Sequence, residues 1–275
     1  MKISFYKLYE RRSKMNWNRV FAMVLRYFLY LKHNWDRLSD MFYWPAFDLF
    51  LWGLTGLYFA KLANSQNAIF VLLAGLVFWI VIWRAQYEIN VNILAEIWDK
   101  NLVNIFASPL TVKEWITSLL IVGFIKMILS VAFSALIAFI LYRFNIFLYG
   151  FALIPHLLSL LLTGWAAGFL VASMIIRYGA KIQTFAWTGV AIIGPFSGLY
   201  YPLSILPHWA QTTAFIVPSS YVFENLRQIL STGTFSMEKL LISFGLNVVY
   251  LIISLKVFMR MFKKSRELGL NRLVQ

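Results

Sequence analysis

The chain has no cysteine, which excludes a disulfide framework, a thiolate metal site and a cysteine nucleophile. Charge is scarce as well. Only 13% of the 275 residues are Asp, Glu, Lys or Arg, about half of the roughly 25% carried by a water-soluble domain. The three histidines, His33, His156 and His208, stand apart without metal-ligand spacing, so no metal site is expected. No G-x-x-x-x-G-K-S/T phosphate loop occurs, so this chain is expected to bind no ATP in the usual way. The opening MKISFYKLYERRSKMNWNR lacks the compact apolar core and small-residue cleavage site of a secretory signal. Acidic residues are few, 11 against 25 basic ones, for a net charge of +14. In a chain this apolar, that excess points to a cytoplasmic face beside anionic lipid rather than to nucleic acid.

What is present is hydrophobic length. Apolar residues make up 61% of the chain, and several windows reach the ~20 residues that cross a bilayer core. The pattern predicts an all-α integral membrane protein, a single domain over 1–275. Six spans are expected at about 41–62, 68–87, 115–141, 147–173, 185–203 and 239–260, preceded by a cytoplasmic or interfacial segment 1–40 and followed by a tail 261–275. With six spans both termini share a side. Twenty basic residues fall on that side, four (Lys61, Arg143, Arg227 and Lys239) fall on the other, and Lys126 lies within span three. Positive charge stays in the cytoplasm, so both termini are expected there, in a multi-pass protein of a bacterial-type inner or plasma membrane.

Before span one, Trp17, Val20, Phe21, Val24, Phe28, Leu31, Trp35 and Leu38 repeat at helical spacing, with Arg19, Arg26, Lys32 and Arg37 mostly off that stripe. This is the pattern of a helix lying in the membrane interface; a basic topogenic signal alone is the plainer reading. After span two, Arg84 and Glu88 are spaced to pair on a helix. Glu88, Asn92, Glu96 and Lys100 continue one polar face, predicting an amphipathic arm that leaves the membrane and stops near Ser108-Pro109. Thr111-Val-Lys-Glu114 then has capping-box form. The resulting elbow is either a well-capped connector or a contact surface for a soluble partner, and its length favours the second.

The stretch 194–227, GPFSGLYYPLSILPHWAQTTAFIVPSSYVFENLR, holds four of the seven prolines, and no charged residue lies between Lys181 and Glu224. Proline forbids one continuous helix. Two short helices are predicted, one from His208 to about Phe215 with Pro207 in its first turn, and one capped by Ser219 or Ser220 and running to Ile229. Broken backbone at membrane depth must be buried by protein or line a water-filled cavity. The segment therefore reads as short re-entrant helices forming an outer gate, with a snug apolar lid as the alternative.

These features, with F-A-S-P-L-T-x-x-E-W after span two and G-x-x-x-P-L-S-I-L-P-x-W-x-Q…P-S-S-Y-x-x-E-x-L-R-Q between spans five and six, resemble the transmembrane subunit of ABC-2 type exporters. That group includes polysaccharide, teichoic-acid and drug efflux permeases. The resemblance implies a dimer of permeases with two copies of a separate ATPase that holds ATP and Mg, no cofactor on this chain, and no enzymatic activity of its own. It implies a coupling surface over Glu96–Thr111, here Glu96, Asp99, Lys100, Asn104, Ser108, Pro109 and Thr111. It also implies closure of the outer end by Tyr200, Tyr201, Pro202, Pro207, Trp209, Pro218, Tyr221, Glu224 and Arg227. The exported substrate is expected to be a glycan, lipid-linked or amphiphilic molecule, with drug or ion efflux as the alternative. A membrane-embedded lipid-modifying enzyme or a channel ranks lower, because no cluster of acids, histidines or ligands marks one membrane face.

Two intramembrane charges stand out, Asp48 in span one and Lys126 in span three. An Asp48–Lys126 pair and a neutral Asp48 beside Trp44 and Trp52 are both open. Gly164, Gly168 and Ala172 allow close packing of span four. Most aromatics fall at span ends, as interfacial belts do; rings of Trp52, Tyr58, Tyr200 and Tyr201 would suit sugars or amphiphiles if they face a pathway.

Overall fold

The computed structural model describes residues 15–62, 66–270 and 273, and among them every regular element is helical. The basic residues Lys2, Lys7, Arg11, Arg12, Lys14 and Arg272 lie outside the described residues. Helix α1, Trp17–Lys32, begins at Asn16, whose side chain caps it, and ends at His33. Helix α2, Trp35–Leu62, follows after this break and carries Pro45 inside it. Its start at Trp35 divides the expected interfacial stripe between two helices. Within α1 the stripe divides again: Val20, Val24, Tyr27 and Leu31 are buried, while Trp17 and Phe21 stay exposed.

Helix α3, Gln66–Trp98, has 33 residues, about 50 Å at the usual rise. A turn leads into α4, Leu102–Ala107, and then α5, Val112–Tyr142. A 3₁₀ segment, Ile146–Ala152, leads into α6, Leu153–Tyr178. Short pieces follow: α7, Thr184–Thr188; a 3₁₀ run, Gly189–Phe196; α8, His208–Ala214; and α9, Pro218–Thr232. Helix α10, Met237–Glu267, closes the fold, capped by the Ser236 side chain.

Four segments among the described residues are long and apolar enough to cross a membrane: Ile69–Trp98, Val112–Tyr142, Ile146–Ile182 and Met237–Glu267. Two expected spans differ from this picture. The 41–62 span lies within α2, whose apolar run is diluted by Asp36, Asp40, Asp48 and Lys61. The 185–203 span is not one helix: its apolar helical part is only Thr184–Phe196. There the backbone tightens to 3₁₀ from Gly189, and Pro195 lacks an amide donor.

Helix α3 is the hub, packed against α2, α5, α6, α7 and α9. Every residue from Ala85 to Ile97 is buried. The expected arm projecting past span two is therefore not a free arm, because its polar face turns into the protein. Helices α6 and α10 form the most extensive pair, tied by side-chain hydrogen bonds as membrane helices commonly are. Thr163 Oγ1 donates to Asn247 Oδ1 at 2.8 Å, Asn247 Nδ2 donates to the Ser159 carbonyl at 2.8 Å, and the Ser159 and Ser243 hydroxyls share a 2.7 Å hydrogen bond, while Ser243 Oγ also donates to the Pro218 carbonyl of α9 at 2.7 Å.

The small residues of α6 face α3. A Cβ added at Gly164 would stand 2.6 Å from both the Ile82 carbonyl oxygen and Ala85 Cβ, so one helix would have to move. Gly164→Leu is expected to lower the unfolding midpoint of the purified protein by about 5 °C or more, from overpacking and the usual Tm scaling. Gly245→Ala, where an added Cβ meets nothing within 4 Å, serves as the control and leaves the midpoint unchanged.

Candidate functional site

The elbow between α3 and α5 is held from inside. Helix α3 ends at Trp98, and Lys100 turns the chain in the left-handed region with φ 55°. That conformation is costly for a residue with a side chain and recurs at functional sites. The Asn101 amide donates to the Glu96 carbonyl at 2.9 Å, and its side chain donates to Glu96 Oε2 at 2.7 Å. Glu96 is also gripped by Arg26 of α1, Nη1 to Oε1 at 2.6 Å and Nη2 to Oε2 at 2.9 Å. This bidentate bond holds the Arg26 guanidinium above its ordinary pKa.

The capping box at the start of α5 is formed: the Thr111 amide donates to Glu114 Oε2 at 2.7 Å and the Glu114 amide to Thr111 Oγ1 at 3.2 Å. Glu114 Oε1 accepts from the Asn16 amide at 2.9 Å, so one carboxylate joins the starts of α1 and α5. Arg19 Nη1 donates to the Pro109 carbonyl at 2.8 Å. Beneath them Trp115, fully buried, donates from Nε1 to the Tyr27 hydroxyl at 2.9 Å and packs against Phe106 and Phe262.

The expected partner-facing residues therefore divide. Glu96 is only 2% exposed and faces inward, so it positions the elbow and offers nothing to a partner. Thr111 is spent on the cap. Trp98, Asp99, Lys100, Val103, Asn104, Ala107, Ser108 and Pro109 form the exposed surface. Sequence reasoning missed Asn16, Arg19, Arg26 and Asn101, which hold that surface in place. Asn16, Arg19 and Arg26 lie some 70 to 98 positions from their partners, so no local spacing signals them.

At the other end, α8 begins at His208 with Pro207 as its cap residue. Helix α9 starts two or three residues earlier than expected, with Val217 at its cap position, Pro218 in its first turn and no side-chain cap from Ser219 or Ser220. Ser220 Oγ instead donates to the Ala214 and Val217 carbonyls at 2.7 and 2.8 Å. Glu224 and Arg227 organise the folded-back chain. Glu224 Oε1 accepts from the Leu203 amide at 2.9 Å and from Arg227 Nη1 at 2.6 Å, while Arg227 Nη2 donates to the Gly198 carbonyl at 2.7 Å. Gly198 has φ 72°, which favours glycine. The Tyr201 hydroxyl donates to the Pro195 carbonyl at 3.0 Å, that of Tyr221 to the Phe215 carbonyl at 3.0 Å, and Tyr200 lies beside Trp52 with ring centres 5.2 Å apart. Pro202, Pro207 and Trp209 lie on the outside of this fold-back, Trp209 67% exposed.

The family model of the ABC-2 type transporter matches residues 8–231, a stretch that takes in both the elbow and the folded-back segment. The chain belongs to the ABC-2 type transporter family. It is thus the multi-pass membrane permease of an ABC transporter. Permeases of this family generally work with an ABC ATPase and often dimerise. No curated protein matches the chain.

Within the permease, the two singled-out charges do not meet. Lys126 Nζ donates to Glu88 Oε2 at 2.7 Å, so the buried cation is satisfied by α3 and not by Asp48. Asp48 forms no hydrogen bond or ion pair among the described residues and is half-buried near Tyr200. No group of three or more His, Asp or Glu residues that could hold a metal ion occurs among the described residues.

The brace on the permease elbow is testable. A double-mutant cycle with Glu96→Gln and Arg26→Leu is expected to give a coupling energy of about 1 kcal/mol, the scale of a charge-assisted bond discounted for the exposure of Arg26. Thermal unfolding of the purified single and double variants measures it, and additive losses would remove the brace.

Proposed function

We propose that the chain is the permease half of an ATP-driven exporter, working as two copies with a separate ATPase subunit seated on each elbow. The observation that carries this reading is the surface Trp98–Pro109, exposed yet braced by Glu96–Arg26, Asn101, the Thr111–Glu114 cap and the Trp115 cluster. A rigid exposed feature can pass a push inward, which a mobile loop would absorb. ATP and Mg belong to that partner subunit.

In this reading α2 and the Thr184–Phe196 stretch complete six membrane crossings, both termini lie in the cytoplasm, and α1 rests in the interface. Exposed Trp17, Phe21 and Leu25 on α1 support interfacial residence. The folded-back segment from Tyr200 to Arg227 closes the outer end, kept compact by Glu224 and Arg227. The substrate is a glycan, lipid-linked or amphiphilic molecule. The paired, partly exposed rings of Trp52 and Tyr200 offer the kind of apolar face that such molecules stack on.

The test is purification of the permease from its native membrane in mild detergent. The expected result is a stoichiometric ATP-hydrolysing subunit. Asp99→Arg with Val103→Glu is expected to weaken its retention at least about tenfold, as charge placed in a docked apolar contact does, while the permease still reaches the membrane. Retention unchanged in that double variant would overturn the elbow assignment.

A further inference from the structure

Three buried ionisable side chains and one half-buried one link three helices. Asp40 belongs to α2, Arg84 and Glu88 to α3, and Lys126 to α5, and their charges sum to zero. The two seams they form are unlike. Across α3–α5, Lys126 Nζ donates to Glu88 Oε2 at 2.7 Å, with both side chains almost wholly buried at 6% and 2% exposure. Asn92 Nδ2 adds a 3.3 Å bond to the same oxygen. Across α2–α3, Arg84 Nη1 stands between two carboxylates, 3.1 Å from Asp40 Oδ2 and 3.4 Å from Glu88 Oε1. Its Nη2 donates to the Asp40 carbonyl at 3.1 Å, and its Nε is buried with no hydrogen-bond partner. The rings of Trp83 and Tyr87 lie 5.0 and 5.2 Å from the guanidinium carbon.

We infer that Arg84 is a two-partner switch that lets α2 part from α3 while α3 and α5 stay joined. Removing one member of a buried ion pair is strongly unfavourable, because a bare charge is left behind. Arg84 avoids this. When Asp40 withdraws, Nη1 passes fully to Glu88, which already lies within reach on the same helix, one turn away. The idle Nε is a donor in reserve for that second arrangement. Asp40 is the member that can be rehydrated, since its side chain is 17% exposed against 2% for Glu88. The aromatic rings hold the guanidinium in both positions. Lys126 pairs with no second carboxylate among the described residues, so the α3–α5 seam has one state. A packed pair of helices with two discrete arrangements is the kind of element on which conformational cycles run. The switch stands on the permease alone and does not depend on where an ATPase docks.

The test uses the purified full-length permease in nanodiscs. Asp40→Asn is expected to lower the unfolding midpoint by at most about 3 °C, because Arg84 retains a carboxylate. Glu88→Gln is expected to lower it by about 10 °C, or to prevent accumulation of folded protein, because buried Lys126 is left without a carboxylate while Arg84 loses one of its two. Adding Lys126→Met to Glu88→Gln restores several degrees by removing one stranded charge. Because the chain has no cysteine, spin-label pairs can be introduced cleanly. In Asp40→Asn, the distance between labels at Tyr43 on α2 and Trp98 on α3 is expected to lengthen or broaden, while that between Leu129 on α5 and Trp98 stays fixed. The proposal is overturned if Asp40→Asn costs as much as Glu88→Gln or does not fold. It is equally overturned if both distances move, or if neither does.

Discussion

Polar side chains inside an apolar bundle must find their partners there, and this constraint shapes the permease. Between lipid tails the hydrophobic effect gives helices little reason to associate, so close packing and internal hydrogen bonds decide what touches what. Helix α3 carries Arg84, Gln86, Glu88, Asn90, Asn92 and Glu96, all at most 3% exposed. Most of their partners come from elsewhere in the chain: Asp40 and Arg37 of α2, Lys126 of α5, the Ala186 carbonyl of α7 at 2.8 Å from Gln86, and Arg26 of α1, while Asn90 donates to the Gln86 carbonyl of its own helix. On the opposite side, Gly164 and Gly168 bring the α6 backbone against it. The polar side of α3 thus selects its neighbours, and its glycine-lined side sets their distance.

The two ends of this spine are finished differently. At one end, α3 gives way to an elbow fixed by side chains from α1 and by the cap of α5, and its exposed surface is displayed rigidly. At the other, charge is almost absent, and one Glu224–Arg227 pair holds two backbone groups of the folded-back chain. At the breaks around Gly198 and Pro202, the Gly198 carbonyl meets Arg227, the Leu203 amide meets Glu224, and the Ile205 amide turns onto the Pro202 carbonyl. A stiff elbow at one end and a backbone-pinned fold-back at the other, joined through α3 and its neighbours, suit a transporter in which movement at one end must reach the other.

Local rules were read from the sequence where they acted alone. The Thr111–Glu114 capping box, the Arg84–Glu88 pair, a short helix starting at His208 and the packing glycines of α6 all depend on residues within one or two turns. What was not legible depends on the register between distant helices. Lys126 meets Glu88 rather than Asp48 because α5 packs on α3 with that rotation, which spacing along one helix does not reveal. The polar face of Glu96 reads locally as an outward one; Arg26, far away in sequence, turns it inward. The tightening of the 185–203 stretch into 3₁₀ backbone shows tertiary packing overriding local preference, whereas the start of α9 at Pro218 follows a competing local rule, the fit of proline to the first helical turn.

Amide hydrogen exchange of the permease in nanodiscs, followed by mass spectrometry, tests most directly whether α3 is the fixed element around which the rest is arranged. The account predicts that residues 84–97, polar as they are, exchange more slowly than any part of α2 or of the 198–217 segment, since the stretch is buried from Arg84 to Ile97 and tied to four other helices. Exchange across 84–97 as fast as across α2 would contradict it.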